Sequence, residues 1–366
     1  MIRFSLILLI CLLSPALHAG EIIWPSRAKA GPVKLQQVIG NQPVDLGSFG
    51  KCRLLGFKAA DGEQSFLAVT PHFKPRNGLP AATVRSWNGS FSVSLVTNNA
   101  SVLSLRRTPA KKLLGLAIYL TGIIDLSPPE KQLVESFRIQ GWDVLVSHTS
   151  HHFMKPRVLV VDPRTVVKAA RKFARDVDNH LADKAYAVEA VLEYLKVKHP
   201  EIRAGKRVLA GGSAGALALP AVAARIGSWD AVVSIGGGAN IGMVLAESSL
   251  NPLQLLERKE ANGKSRWTRS NPKTRQRVAD LIYRDITLDP ARLAPRLKGT
   301  PILMLSAEFD QMVPASAGEL LFEAYGKPER WSYPVNHILL FAALHLQSGR
   351  VAQWVSGNAK TRKSDR

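Results

Sequence analysis

Cysteine and long apolar runs are what this 366-residue chain has least of. Its two cysteines are Cys11 and Cys52. If the first nineteen residues are removed only Cys52 remains, and one cysteine cannot close an internal disulfide. The fold must then hold without a covalent staple, even in an oxidising compartment. Within Cys52-Arg53-Leu54-Leu55 the thiol is predicted to be a small buried hydrophobe. No internal run reaches the roughly 20 apolar residues that a membrane-spanning helix requires, so no transmembrane domain is predicted. Zinc-finger spacing and aromatic-rich recognition motifs are missing, so nucleic acid is not an expected partner. Gly236-Gly237-Gly238 has no Gly-Lys-Ser/Thr continuation, and Ile241 stands where the last glycine of a dinucleotide fingerprint would fall. It is read as a tight strand-to-helix turn. Repeats and low-complexity tracts are absent too. Acidic residues are scarce: 28 Asp and Glu against 49 Lys and Arg give a net charge of +21. Such a charge favours polyanions or an anionic envelope surface and says nothing about fold.

The one long apolar run is at the N-terminus. Arg3 precedes Phe4 to Leu13, Ser14-Pro15 breaks a helix there, and Ala16 and Ala19 are small residues where a signal peptidase could cut. Residues 1–19 are therefore predicted to be a secretory signal and the protein to be secreted or periplasmic. An uncleaved anchor is the alternative. Lipidation at Cys11 fits less well, because Ile10 is a poor match for the small residue expected before it.

Residues 20–110 read as β-rich. Phe66 to Val69 is a strand candidate, and the Asn88-Gly89 pair is a hairpin-turn signal. Phe91, Val93 and Leu95 alternate with serines at the period of a half-buried strand. Ser101 to Leu105 follows the Asn98-Asn99 turn. These strands either open a main sheet or form a separate module. Residues 111–359 alternate strands with helices: Leu114 to Leu120, a helix from Pro128 to about Gln140 ended by Gly141, Trp142 to Val146, an amphipathic stretch from Asp183 to His199, Val208 to Ala210, Ala231 to Ile235 and Pro301 to Leu305. Continuous apolar strands between helices predict a mostly parallel sheet with helices on both faces. Residues 240–298 interrupt that rhythm and are read as either a solvated insertion or a small helical lid, with Leu253–Leu256 and Val278–Tyr283 helical. Arg258 to Arg277 is dense in Lys and Arg around Trp267. Residues 360–366 form a polar, basic tail predicted to be disordered.

Within this frame, Arg207 to Gly215 is the most informative stretch. A short strand enters Gly211-Gly212-Ser213-Ala214-Gly215, and an alanine-rich helical run leaves it. Pro220, inside that run, is expected to kink or end the helix. A Gly-x-Ser-x-Gly turn between strand and helix exposes a serine at a sharp corner. Serine needs a base to take its proton, and the base needs an orienting acid. Candidates lie in loops after later strands. Asp310 follows Pro301–Leu305 in Asp310-Gln311-Met312-Val313-Pro314, where it could equally cap a helix, and Glu308 is the fallback acid. His337 follows the short strand Arg330–Pro334 and opens the run Ile338–Leu346, within which His345 is a poorer candidate.

The order Ser213, Asp310, His337 on these elements resembles the α/β-hydrolase superfamily of serine hydrolases, over about residues 113–346. The resemblance implies an α/β-hydrolase fold, with Ser213 as nucleophile, His337 as general base and acid, and Asp310 as orienting carboxylate. It also implies an oxyanion hole from the N–H of Ala214 and that of Gly122 or Ile123, with no metal and no cofactor. Where many members carry His-Gly before the second donor, this chain has Thr121-Gly122, and Asn336 replaces the common glycine before the histidine. The expected substrate is a small-molecule or peptidyl acyl ester, thioester or amide. Esterase activity is the default, and a serine peptidase or a non-catalytic polyanion-binding protein of the same fold is the alternative. His148, His151 and His152 cluster after Trp142–Val146. His148 and His151 are candidate substrate-binding residues there, beside the readings of a plain loop or a metal site.

Overall fold

The computed structural model describes residues 22–25, 35–38, 44–58, 64–71, 82–87, 90–95, 100–123, 126–148, 157–162, 164–203, 205–261 and 264–359. The predicted signal (1–19), the Asn88-Gly89 and Asn98-Asn99 turns, His151, His152 and the tail 360–366 lie outside the described residues.

The N-terminal third supplies β1 (Leu35–Val38), β2 (Val44–Phe49), β3 (Cys52–Lys58), β4 (Gln64–Val69), β5 (Ala82–Trp87), β6 (Ser90–Leu95) and β7 (Ala100–Arg106). β5 and β6 pair antiparallel with Trp87 opposite Ser90. β1 joins β5 to make a sheet of three. The other four enter the main sheet, so this β-rich segment both opens that sheet and builds a separate one.

The core follows as β8 (Gly115–Leu120), α1 (Pro128–Ile139), β9 (Trp142–Ser147), β10 (Arg157–Val160), α2 (Val166–Lys198), α3 (Pro200–Arg203), β11 (Lys206–Gly212), α4 (Ala214–Ile226) and β12 (Ala231–Ile235). Next come α5 (Ile241–Glu247), β13 (Leu253–Ala261), β14 (Lys264–Arg269), α6 (Pro272–Asp285) and α7 (Pro290–Leu293). The chain ends with β15 (Ile302–Ala307), α8 (Ala315–Ala324), β16 (Glu329–Tyr333) and α9 (His337–Asn358). The ten-stranded sheet has the order β16-β15-β12-β11-β8-β9-β7-β4-β3-β2. Its pairs from β16 to β9 are parallel, and those from β9 to β2 are antiparallel.

Strand alternation divides the core between the two faces. Leu116, Ile118 and Leu120 of β8 pack with α2 and α4. Ala117 and Tyr119 turn to the other face, among Leu133 and Phe137 of α1 and Leu344 and Val351 of α9. From β8 the chain moves to β9 on one side and later to β11 on the other. The resulting switch point leaves a crevice beyond the carboxyl ends of β8 and β11.

Three sequence readings are corrected here. Leu253–Leu256 is not helical but opens β13, because it pairs with β10 and buries Leu253 and Leu255 while Gln254 is exposed. A short apolar run does not distinguish the two periods. The helical stretch read from Asp183 begins at Val166 and runs 33 residues, with Ala170, Ala174, Val177 and Leu181 extending its buried face. Pro220 does not end α4, which continues to Ile226. That helix is buried along most of its length, and packing offsets the one hydrogen bond that proline removes. The insertion 240–298 thus carries α5, the β13–β14 hairpin, α6 and the short α7, and α6 contains the predicted Val278–Tyr283. Cys52 is 2% exposed, and burial pushes its thiol well above the usual range.

Candidate active site

Ser213 sits between β11 and α4 with φ 52 and ψ −119, a backbone conformation that non-glycine residues rarely adopt. Holding it there costs on the order of 1–3 kcal/mol, which the surrounding packing must supply. Glycine makes the corner possible. A Cβ on Gly215 would fall on the Leu120 carbonyl at the end of β8, and one on Gly211 would lie 2.8 Å from the Gly215 oxygen. Only with both side chains absent can the strand, the turn and the helix close up. Backbone bonds fix the corner on either side: Ser213 N–H donates to Ile235 O (2.8 Å), and Leu217 N–H donates to Ser213 O (3.1 Å).

Asp310 and His337 arrive together because β15 and β16 are parallel neighbours whose pairing continues into the loops. Glu308 N–H donates to Tyr333 O and Phe309 N–H to Val335 O. Asp310 uses its two oxygens differently. Oδ1 accepts from the N–H groups of Met312 (2.9 Å) and Val313 (2.8 Å), which folds the turn before α8. Oδ2 faces His337 Nδ1 at 2.6 Å. Asp310 thus makes capping-type bonds with one oxygen and faces the imidazole with the other.

His337 is the first residue of α9, and Asn336 caps that helix by accepting from Leu339 N–H (3.0 Å). This accounts for asparagine at that position. The His337 ring lies against Phe341, one turn on, with centroids 5.0 Å apart. A Cβ on Gly236 would lie 3.1 Å from His337 Cε1 and 3.3 Å from Phe341 Cε2. Nε2 is 3.0 Å from Ser213 Oγ. With the Nδ1 proton held by Asp310, Nε2 is the acceptor and Oγ–H donates. All three side chains are at most 8% exposed. The arrangement can take a proton from Ser213 Oγ and leave the resulting imidazolium beside a carboxylate.

Ala214 is the first residue of α4. N–H groups in a helix's first turn lack intrahelical acceptors and favour negative charge. Gly122 lies on the opposite wall, where a Cβ would meet Ser213 Cβ at 3.3 Å. Ile123 is buried beside it. Thr121, standing where many α/β-hydrolases have histidine, is fully buried. Its N–H (3.1 Å) and its Oγ1–H (3.4 Å) both donate to Ser147 O, tying the ends of β8 and β9 together.

The remaining candidates fall elsewhere. Glu308 is exposed and does not face His337, and His345 is exposed along α9. His148 is half-buried at the end of β9, with Nε2 2.7 Å from Ser104 Oγ on β7. Among the described residues, no three His, Cys, Asp or Glu side chains gather as a metal site.

Two contributors were not read from the sequence. One is Phe341, whose signal is its i+4 spacing from His337 on a helix. The other is buried Glu130, which accepts from Tyr119 O–H (2.9 Å), Ser127 N–H and Ser127 O–H, and so holds α1 to β8 beneath the corner. A Ser-x-x-Glu capping box at the start of α1 was its visible mark.

The strand order, the serine corner after β11, and the carboxylate and histidine after β15 and β16 define an α/β-hydrolase fold. No protein-family model matches the chain. A curated relative, the uncharacterized protein YdjC of Bacillus subtilis strain 168, is 34% identical over 55 residues, 15% of this chain. The chain spans about half (47%) of that relative's length. Among solved structures, Est1E from Butyrivibrio proteoclasticus is 16% identical with a TM-score of 0.45, over 76% of this chain and 98% of that one. The esterase domain of a Rhodothermus marinus protein is 13% identical with a TM-score of 0.43, over 85% and 100%. The acylaminoacyl peptidase of Pyrococcus horikoshii is 11% identical with a TM-score of 0.47, over 86% and 49%. Likenesses at this level do not reach the chemistry of the site, which rests on its own geometry.

Proposed function

We propose that this protein is an exported serine hydrolase that cleaves acyl esters through an acyl-enzyme on Ser213. The observation that carries the reading is the unbroken chain from Ser213 Oγ to His337 Nε2 (3.0 Å) and from His337 Nδ1 to Asp310 Oδ2 (2.6 Å). In this mechanism His337 takes the Ser213 proton as Oγ attacks the acyl carbon. The tetrahedral oxyanion is met by the N–H of Ala214 and that of Gly122 or Ile123, and loss of one such donor costs about 10²–10³ in rate. His337 then protonates the leaving group, and water, activated by the same imidazole, releases the acid. Asp310 keeps the imidazole in the required tautomer. Esters of small or medium acyl groups are the first substrates to test, aminoacyl amides the second. Export rests on the Arg3, Phe4–Leu13 and Ala16/Ala19 pattern.

A fluorophosphonate probe tests the reading directly. Wild type should label at Ser213, and Ser213→Ala should abolish both labelling and ester hydrolysis. Stable, folded wild type that does not label, and that hydrolyses no ester or amide across a range of acyl lengths, would remove the proposal.

A further inference from the structure

The sheet formed by β10, β13 and β14 turns one face into the core through Leu159, Leu253 and Leu255. Alternation places Val158 and Val160 on the other face, in register with Gln254 and Leu256 of β13. Leu256 lies opposite Arg269 of β14, and Trp267 is two residues along from Arg269 on the same face. Val158 is 57% exposed, Val160 42% and Trp267 53%. A diagonal of apolar side chains is therefore open to water, with the exposed Arg269 at its edge.

The surroundings are cationic. From Glu257 to Arg277 the sequence has eight Lys and Arg against two Glu. Lys273 and Arg277 of α6 and Lys168, Lys172 and Arg175 of α2 are exposed. None of these five pairs with a carboxylate among the described residues. Asp285, where the two helices meet, is shared between Arg171 and Arg284.

We propose that this outer face, with the adjoining basic sides of α2 and α6, docks the protein on an anionic phospholipid surface. Basic side chains near such a surface each contribute about 1 kcal/mol. An exposed tryptophan beside aliphatic residues favours the headgroup boundary, where its ring is half-wetted. A soluble polyanion would be met by the cations alone, and Val158 and Val160 would add nothing. The insertion is tied to the catalytic rim, since Ser249 N–H donates to Gln311 O in the loop carrying Asp310. The binding does not depend on the hydrolase reading, and Ser213→Ala should bind as wild type does.

The test is sedimentation of the full chain with vesicles of phosphatidylcholine alone or mixed with phosphatidylglycerol, at low and high salt. Wild type should sediment with the anionic vesicles only, and salt should release it. Trp267→Ser should lower the partition coefficient several-fold with an unchanged melting curve. Lys273→Glu/Arg277→Glu should lower it about 25-fold or more, at about fivefold per charge lost. If Trp267→Ser does not fold, Val160→Ser on the same face makes the same test. Absence of sedimentation with anionic vesicles overturns the proposal. So does equal partitioning of wild type and the apolar-face variants, or retention on heparin without vesicle binding.

Discussion

Two buried aspartates spend their carboxylate oxygens differently. Asp289, before α7, commits both oxygens to the backbone: Oδ1 accepts from the N–H groups of Asn240 (3.1 Å) and Ala291 (2.9 Å), and Oδ2 accepts from Ile241 N–H (2.7 Å). It starts α5 and α7 at once and is a scaffold residue. Asp310, after β15, folds its own turn with Oδ1 alone and leaves Oδ2 for His337. Burial does not distinguish the two. What separates them is whether an oxygen remains for a titratable partner.

The comparison is tested most strongly at Asp310. In Asp310→Asn the amide oxygen can still accept from Met312 and Val313, so the turn before α8 keeps its bonds. The amide nitrogen would then face His337 Nδ1, favouring the tautomer that cannot accept from Ser213. Turnover on a soluble ester should fall by about 10⁴, with little change in the melting temperature. An equally large loss of stability would mean that Asp310 is a scaffold residue like Asp289.

Asp289→Asn should show the converse. One oxygen survives, but Ile241 N–H is left facing an amide N–H₂, and a buried unpaired donor costs about 1–3 kcal/mol. Stability should drop by that order, while turnover per folded molecule stays near wild type. The pH dependence adds a second readout. Burial pushes the Asp289 carboxyl above the usual carboxylate range, and the N–H bonds from Ile241, Ala291 and Asn240 oppose this without cancelling it. A raised folded value means that the folded chain holds the proton more tightly than the unfolded chain. This group's contribution is therefore fully present on the acid side and is lost as pH rises through the folded value. The stability gap between wild type and Asp289→Asn should narrow as pH rises from the ordinary carboxylate value through the raised folded one. A gap that widens would mean that the carboxylate is better stabilised folded than unfolded.

Ser213, Asp310 and His337 were legible in the sequence because each lies at a fixed offset from a strong local signal. Ser213 is flanked by glycines, Asp310 follows an apolar strand and His337 precedes a helix. The parallel sheet was legible for the same reason, since β8, β11, β12 and β15 are continuous apolar runs. What was hidden depends on contacts between distant segments. Gly236 reads as a turn, and its place beside the His337 ring follows from how β12 sits next to β15. β13 was hidden because Leu253–Leu256 satisfies either period over four residues, and pairing with β10 decides it. The start of α2 at Val166 was marked only by Thr165 at the N-cap, which makes no side-chain cap bond, and the first half of the helix is held by the packing of Ala170, Ala174 and Val177.

The smallest expected effect concerns Glu308, the fallback acid of the sequence reading. Glu308 lies two residues before Asp310, and both follow the same strand. Its N–H donates to Tyr333 O, which continues the β15–β16 pairing and leaves the side chain exposed. Surface substitutions of this kind fall within about ±0.5 kcal/mol. Glu308→Gln should therefore leave both the melting temperature and kcat/KM within about twofold of wild type. The informative outcome is the relative one. If Glu308→Gln lowers kcat/KM more than Asp310→Asn does, His337 must be oriented from the exposed side in solution. The 2.6 Å contact with Asp310 would then be a scaffold bond of the Asp289 kind.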